Sequence, residues 1–311
     1  MPDVVITEFM DEAAVLWLAE EFDVQYDPAL VDDRHALLDS VSDARGLIVR
    51  NRTVVDAELL EVATSLEVIG RLGVGLDNID CELCEHRGIT VAPATGANAD
   101  SVAEYVVAAI LLLTRRAFSS SDLVARGAWP RTDLVGHEIA GHTAGLVGFG
   151  EIARKAAARL SALGMKVIAH DPFLSTDDDA WNDVRSVDMA TLVGESDAIS
   201  IHIPLTDATE GLFGAELIGS MRPASVLVNT SRGGIVDERA LVAALREGRL
   251  MGAAMDVFTV EPVDTSFGSR FLDVPNLILT PHIAGVTVES NVRVSQMTVR
   301  NVRNILAGRD R

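Results

Sequence analysis

Lysine is almost missing from this sequence. Only Lys155 and Lys166 occur among the 26 basic residues of its 311; the rest are arginine. Positive charge of either kind is outweighed, because 46 Asp and Glu set the formal net charge at −20. A surface that acidic repels polyanions, so neither nucleic acid nor an anionic membrane is expected as a partner. The arginine bias fits a GC-rich genome or a salt-adapted source equally well. Cysteine is nearly as scarce, with two residues, which fits a reducing cytoplasm rather than a disulfide framework. The pair Cys81-x-x-Cys84 lacks the second ligand pair that a zinc site needs, so it reads as one face of a short helix and no metal is expected. Long apolar runs are absent too: the longest, Tyr105 to Leu113, is too short to span a bilayer. The N-terminal MPDVVITEFMDE begins as a strand, with no basic n-region and no cleavable apolar stretch. Secretion is therefore not expected, and the cytoplasm is the expected location.

What is present is globular. Hydrophobic residues make up 48% and charged residues 23%, and at about 150 residues per domain the length predicts about two domains. Short apolar runs alternate with amphipathic helical patterns, the signature of βαβ units around a parallel sheet. The first block carries strand patterns at Val4–Ile6, Val24–Tyr26, Gly46–Arg50, Val68–Arg71 and Thr90–Ala92, with helices such as Asp11–Glu20 and Val55–Thr64 between them. A long helix follows from about Asp100 to Arg116, with Asn98 and Asp100 as candidate caps. Its apolar face, Val102, Val106, Ile110 and Leu113, is widened by Ala109 and Leu112, so burial on more than one side, including a subunit interface, is expected. The second block shows six strands, Thr143–Val147, Lys166–His170, Ala198–His202, Ser225–Asn229, Gly252–Met255 and Leu277–Leu279. That is the strand count of a doubly wound nucleotide-binding domain. The last helical pattern, Thr287–Leu306, follows the sixth strand and is expected to return to the first block. The expected division is thus 1–97 with 286–311 as one discontinuous domain, and 98–285 as the other.

Gly148-Phe149-Gly150-Glu151-Ile152-Ala153 follows a strand and opens a helix. It has the form of the G-x-G-x-x-G/A dinucleotide fingerprint. Gly148 permits the tight turn, Gly150 lets backbone approach a pyrophosphate, and Ala153 allows close helix–sheet packing. The free amides and dipole at the helix start then hold the phosphates. Asp171 stands at the end of the next strand, about 20 residues on, where a carboxylate accepts hydrogen bonds from ribose hydroxyls and repels a 2′-phosphate. That favours NAD over NADP as the cofactor.

Open parallel sheets bind ligands beyond the carboxyl ends of their strands. Those ends here carry His202-Ile-Pro204-Leu-Thr206, then Asn229-Thr230-Ser231-Arg232-Gly-Gly, then Asp256, and Pro281-His282. Glu261 follows Asp256 in its loop. An arginine, an acid and a histidine in that order suit hydride transfer to a 2-oxo acid. Arg232 can grip a substrate carboxylate at two points. His282, protonated, can neutralise the charge that grows on the carbonyl oxygen. Glu261 beside it would orient the ring and favour its charged form. Each residue alone has an ordinary alternative: a turn cation, loop polarity, a capped core histidine. Their joint order behind the fingerprint is what favours chemistry.

With these motifs in view, the sequence resembles the D-isomer-specific 2-hydroxyacid dehydrogenases, a family that includes phosphoglycerate-type members. The resemblance runs from about Gly46 to Gly285. It rests on Gly70-Arg-Leu-Gly-Val-Gly-Leu-Asp-Asn-Ile-Asp80, Ser101-Val-Ala-Glu104, the fingerprint, Asn229 to Glu238, Gly252-Ala-Ala-Met-Asp-Val-Phe258 and Thr280-Pro-His-Ile-Ala-Gly285. It implies a Rossmann NAD-binding domain inserted in a smaller, flavodoxin-like substrate domain, both doubly wound α/β units. It implies that Arg232 binds substrate, that His282 is the general acid/base with Glu261 as its partner, and that Asp256 meets the nicotinamide amide. Cofactor contacts are implied at Gly148, Gly150, Glu151, Ile152, Asp171, His202, Pro204, Thr206, Thr230, Ser231 and Gly285. Val74 and Gly75 resemble the backbone loop that touches substrate. In phosphoglycerate-type relatives an arginine matching Arg50 reaches the distal phosphate, and Arg52 beside it strengthens the expectation of a dianionic acid. The stretches Ile6–Asp11 and Arg50–Thr53 look more like the sulfolactate-oxidising members of the family, so the expected substrate is 3-phosphoglycerate- or 3-sulfolactate-like. The segment Gly127-Ala-Trp129-Pro-Arg131 is similar to one that wraps a partner subunit, which implies a homodimer. A formate dehydrogenase would carry an amide where Glu261 stands. An NAD(H)-sensing corepressor of the same fold is the alternative function. A departure is Glu151, an acid where many relatives are basic.

Overall fold

The computed structural model describes residues 2–175 and 177–309. The chain divides into two compact units, Met1–Asn98 with Val286–Arg311, and Ala99–Gly285. No described helix is long and apolar enough to cross a membrane.

The first unit is a five-stranded parallel sheet in the order β2-β1-β3-β4-β5. Its strands are β1 (Val4–Ile6), β2 (Val24–Tyr26), β3 (Gly46–Val49), β4 (Val68–Arg71) and β5 (Thr90–Pro93). Helices α1 (Glu12–Ala19), α2 (Arg34–Val41), α3 (Ala57–Val62) and α4 (Cys81–His86) connect them. Alternate residues feed two cores: Val5, Leu47, Val49 and Ile69 on one face, Val4, Ile6, Ile48 and Val68 on the other. Strands buried on both faces read as unbroken apolar runs, which is why the sequence pattern reveals them. The order is the flavodoxin-like one, with its switch point between β1 and β3. Cys84 is buried in α4.

The second unit holds a seven-stranded parallel sheet, β12-β11-β10-β9-β6-β7-β8. Its helices and strands run α5 (Ala99–Arg115), α6 (Ser121–Ala125), β6 (Thr143–Val147), α7 (Glu151–Ala162), β7 (Lys166–His170), β8 (Arg185–Ser186), α8 (Met189–Glu195), β9 (Ala198–Ile201), α9 (Ala215–Ser220), β10 (Val226–Asn229), α10 (Glu238–Arg246), β11 (Gly252–Met255), α11 (Thr265–Gly268) and β12 (Leu277–Leu279). Counted within the unit this is the 3-2-1-4-5-6 dinucleotide-binding order with one more strand at the end. The edge strand β8, third in that count, is two residues paired to β7 through Ile168↔Arg185 and Ala169↔Ser186. It carries no apolar run, so no sequence pattern announces it.

The wide stripe on α5 is consumed inside its own unit. Val102, Val106, Ala109, Ile110 and Leu113 are buried in one core with Ala153, Ala156 and Leu160 of α7, while Leu112 is 38% exposed. The expectation of a subunit interface on that stripe is corrected accordingly. Exposed apolar side chains gather instead after α5, at Phe118, Leu123, Val124, Trp129 and Val135. Asp100 is not a cap but lies within α5, where its carboxylate accepts from Lys155 Nζ at 2.9 Å and Arg159 Nη2 at 2.8 Å. Aspartate does cap α1, α2, α3, α4, α8, α10 and α11, so part of the acidic excess satisfies helix amides.

The last helix, α12 (Val288–Leu306), is started by a Thr287–Ser290 capping box. It belongs to the first unit. Val299 and Val302 join the core with Ile48 and Val68, and Asn301 Nδ2 donates to the Pro93 carbonyl at 3.3 Å.

Candidate active site

The carboxyl end of β6 runs into Gly148, whose φ is +85°. A Cβ there would lie 2.6 Å from the His202 carbonyl oxygen, so only glycine fits the turn. Gly150 is the N-cap of α7 with no side-chain capping bond, and a Cβ added to it would meet nothing within 4 Å. The first-turn amides of α7 are thus unclaimed by any capping side chain beside open space, which fits a pyrophosphate. Asp171 reaches the same turn: its Oδ2 accepts from the Phe149 amide at 2.8 Å, its Oδ1 from the Phe173 amide at 3.0 Å. A carboxylate accepts about four hydrogen bonds, so capacity remains for ribose hydroxyls. Glu151 is exposed at the start of α7 and lines an open hollow with Asp100, Arg154, Lys155 and Arg159. Arg154 Nε donates to the Phe149 carbonyl at 2.9 Å. The cations one turn along α7 thus offset the acid at position 151. Ile152 packs against the core. The residues present therefore fit a dinucleotide.

His202 and Thr230 each follow one member of the registered pair Ile201↔Asn229 on β9 and β10. Neither His202 Nε2 nor Thr230 Oγ1 meets a hydrogen-bond partner among the described residues. Burial pushes the His202 imidazole down to about 4, so it is neutral at physiological pH. Pro204 and Thr206 lie in one exposed turn in which Thr209 Oγ1 donates to the Pro204 carbonyl at 2.7 Å and accepts from the Thr206 amide at 2.8 Å.

The Arg232 loop is built by Asn229. Its Oδ1 accepts from the Ser231 amide and its Nδ2 donates to the Arg232 carbonyl, both at 3.0 Å. Ser231 Oγ donates to the Ile201 carbonyl at 2.7 Å, and Arg232 Nη1 donates to the Ser231 carbonyl at 2.6 Å. Gly233 then presses on the neighbouring loop: a Cβ there would fall 1.9 Å from the Phe258 carbonyl oxygen. The Phe258 amide in turn donates to Glu261 Oε1 at 2.8 Å, and Glu261 Oε2 lies 2.7 Å from His282 Nδ1. The structure therefore brings Arg232, Glu261 and His282 together. Burial alone would push the Glu261 carboxyl up. The His282 ring, the Phe258 amide and the Arg232 charge outweigh burial and hold it below the usual carboxylate range. A carboxylate only accepts, so Nδ1 carries a proton and Nε2 is the nitrogen left for chemistry.

Asp256 is buried, and its carboxylate is occupied by the loop of His282. Oδ1 accepts from Thr280 Oγ1 at 2.6 Å and the Ile283 amide at 2.8 Å, and Oδ2 accepts from the Ala284 amide at 2.9 Å. Gly285 follows as the last residue of the unit. Sequence reasoning missed Tyr105, Thr280 and Glu238. Glu238 is buried in α10 and accepts from the Thr259 amide and hydroxyl at 2.9 Å, which anchors the Glu261 loop.

In the first unit, Glu8 just past β1 builds the turn that follows β3. Its carboxylate accepts from the amides of Arg50 and Thr53 at 2.9 Å and of Arg52 at 3.2 Å. Arg50 Nη2 donates to Asn291 Oδ1 at 3.1 Å. Burial pulls the Arg50 guanidinium below its ordinary value, against the pull of Glu8. Arg52 is paired with Asp32. The pair Val49↔Arg71 places Arg50 beside the end of β4, and Arg71 leads directly into the turn with Val74 and Gly75, where the Gly73 amide donates to the Arg71 carbonyl at 2.8 Å. Arg71 lies inside the Gly70–Asp80 motif, where a cation among glycines carries no spacing signal of its own.

Residues 107–284 match the family described as "D-isomer specific 2-hydroxyacid dehydrogenase, NAD binding domain". The (S)-sulfolactate dehydrogenase of Chromohalobacter salexigens is 54% identical over 310 residues, 99% of this chain and 100% of that protein. The D-3-phosphoglycerate dehydrogenase of Archaeoglobus fulgidus is 38% identical over 88% of this chain, which spans only 52% of that protein's length. Among solved structures, the D-lactate dehydrogenase of Aquifex aeolicus, complexed with NAD and lactic acid, is similar with a TM-score of 0.86 and 28% identity, covering 98% of this chain and 96% of that one. The TT0316 protein of Thermus thermophilus reaches a TM-score of 0.87 at 32% identity, over 98% and 97% of the two chains.

Proposed function

Because this chain belongs to the D-isomer specific 2-hydroxyacid dehydrogenase family, we propose that its substrate is a small 2-hydroxy acid with a second anionic group, of the 3-sulfolactate class. The protein is an NAD-dependent oxidoreductase. One observation carries the chemical reading: the 2.7 Å bond between His282 Nδ1 and Glu261 Oε2, with the other carboxylate oxygen pinned by the Phe258 amide. That bond reserves Nε2 for the substrate. NAD, when bound, accepts the hydride at its nicotinamide C4, and NADH returns it in reduction. In oxidation His282 Nε2 takes the proton of the C2 hydroxyl as the hydride leaves C2 with its electron pair. In reduction the imidazolium gives that proton to the carbonyl oxygen. Arg232 holds the C1 carboxylate in a two-point grip, which fixes C2 relative to the ring. Positioned proton transfer of this kind is worth about 10²–10⁴ in rate.

Two observations support the second anion. The (S)-sulfolactate dehydrogenase is 54% identical to this chain, against 38% for the A. fulgidus phosphoglycerate dehydrogenase. Arg50 and Arg71 also stand at the carboxyl ends of paired strands, where a parallel sheet presents ligand-binding groups. On that placement Arg50 and Arg71 are the proposed anion holders, while Arg52 is paired with Asp32. A homodimer is supported by the exposed apolar side chains from Phe118 to Val135. The test is steady-state kinetics with 3-sulfolactate, 3-phosphoglycerate, D-lactate and glycerate side by side. The highest kcat/KM is expected for 3-sulfolactate. Turnover confined to the monoanionic acids would overturn the substrate reading. Full turnover in His282→Ala with NADH binding intact would overturn the acid/base reading.

A further inference from the structure

We propose that Tyr105 is a positioning residue for His282, acting through a hydrogen-bond relay, Tyr105–Thr280–Asp256, that clamps the loop bearing the imidazole to α5; this rests on the acid/base reading of His282. The Tyr105 hydroxyl lies 2.6 Å from Thr280 Oγ1, and Thr280 Oγ1 lies 2.6 Å from Asp256 Oδ1. The direction of the chain follows from chemistry. An ionised carboxylate only accepts, so Thr280 gives its single proton to Asp256, and Tyr105 must give its own to Thr280. Burial pushes the Tyr105 phenol up, which keeps the hydroxyl a donor.

What the relay holds is the His282 loop itself. The Ile283 and Ala284 amides donate to the Asp256 carboxylate. The His282 amide donates to the Asp256 carbonyl at 2.8 Å and to the Thr280 carbonyl at 3.0 Å. His282 sits at φ +53°, a left-handed conformation that a residue with a side chain keeps only where its surroundings over-determine it. Asp256 is the common partner of all three amides, and the Thr280 hydroxyl is the directional donor on its Oδ1. Tyr105 ties that hydroxyl to α5, which is packed on α7 and buried along most of one face. The phenol ring would fill its space equally well as phenylalanine. The hydroxyl is the part that only the relay uses.

The relay is tested on the full-length, NADH-loaded enzyme with Tyr105→Phe, Thr280→Val, Thr280→Ser, the Tyr105→Phe/Thr280→Val double variant, and His282→Ala as reference. The readouts are the single-turnover rate of NADH oxidation by 3-sulfopyruvate, its primary deuterium isotope effect with C4-deuterated NADH, the KM, NADH affinity by fluorescence, and Tm. Misplacing an acid by a fraction of an ångström slows the chemical step without touching ligand affinity. Thr280→Val is expected to slow single turnover about tenfold and Tyr105→Phe about threefold, with KM and NADH affinity within about twofold and the isotope effect altered in both. The double variant is expected to match Thr280→Val, because the two residues act in series, and Thr280→Ser is expected to restore the rate. A fall in Tm with rate and isotope effect unchanged would overturn the relay. So would losses that multiply in the double variant. Should Thr280→Val not fold, Tyr105→Phe and Thr280→Ser decide alone. Wild-type turnover in His282→Ala would instead remove the acid/base reading and the relay with it. An inactive His282→Ala beside a normal Tyr105→Phe and Thr280→Val would remove the relay alone.

Discussion

Glu261→Gln isolates the orienting carboxylate, because the replacement has the same shape and a different hydrogen-bonding capacity. In the native site Oε1 accepts from the Phe258 amide at 2.8 Å and Oε2 accepts from His282 Nδ1 at 2.7 Å. A glutamine must keep its oxygen on the Phe258 amide, so its NH₂ group turns to Nδ1 and donates to it. Nδ1 then becomes an acceptor and the proton of the neutral ring moves to Nε2, where it blocks the base needed for alcohol oxidation. Two losses follow. The tautomer defect removes most of the proton-transfer advantage, about 100-fold or more in kcat for oxidation. The lost charge partner destabilises the imidazolium. A charge-assisted hydrogen bond contributes about 1.5–3 kcal/mol when shielded. With His282 42% and Glu261 32% exposed, screening brings this to about 1 kcal/mol. For reduction, which consumes the imidazolium, that is about fivefold in rate. The Glu261 carboxyl is held below its ordinary range, so the native pair should survive below the usual carboxylate titration and be lost as pH falls through the depressed value. Glutamine should abolish that acid limb. The assay is kcat/KM in both directions from pH 4 to 10, with NADH affinity measured alongside. A variant profile that superimposes on the native one, or a loss of NADH affinity that accounts for the rate defect, would refute the reasoning.

Other perturbations probe separate parts of the site. Arg50→Ala should raise the KM for 3-sulfolactate about 10- to 100-fold, the worth of one charge-assisted contact, and leave kcat/KM for D-lactate within about twofold; equal losses on both acids would show that Arg50 does not read the second anion. Gly233→Ala forces a methyl to within 1.9 Å of the Phe258 carbonyl oxygen, so calorimetry should find a cost of at least about 1–3 kcal/mol, and kcat/KM should fall with it because the loops of Arg232 and Glu261 part. An unchanged Tm would mean that the two loops do not pack as described. Light scattering at micromolar protein should give a dimer mass for the native chain and a lower mass for Trp129→Asp, which places a charge among the exposed apolar side chains after α5; a native monomer would exclude the dimer.

The fold was legible where burial leaves a continuous mark. Strands β1, β3, β6, β9 and β10 are buried along nearly their whole length, and such strands spell apolar runs between turn residues. β8 was not legible, because Arg185 and Ser186 are strand only by virtue of the partner they pair with. The α5 stripe was legible as a stripe but not as to its occupant. Its width reflects α7 and the sheet of the same unit, and periodicity reports that a face is covered without saying by what. The sequence pattern extends β3 one residue past its end, since the Arg50 amide is claimed by the Glu8 carboxylate, 42 residues away in sequence.

The candidate site divides along the same line. Arg232, Glu261 and His282 stand out because each is a titratable group just past a strand end, where a parallel sheet presents ligand-binding groups. Glu238, Thr280, Tyr105 and Glu8 do not stand out, although they hold those loops in place. Each acts through a hydrogen bond whose partner is remote in the chain, as far as 175 residues for Tyr105 and Thr280, and no spacing rule encodes such a partner. The buried carboxylates show what such bonds do. Glu8, Glu238 and Asp256 are nearly inaccessible, and a carboxylate taken out of water is tolerated only when its oxygens are met by donors. Here the donors include backbone amides of the turns that carry Arg50, Glu261 and His282. The same bonds that compensate the burial of these acids therefore fix the turns on which the reactive groups stand, so substituting any one of them should disturb stability and positioning together.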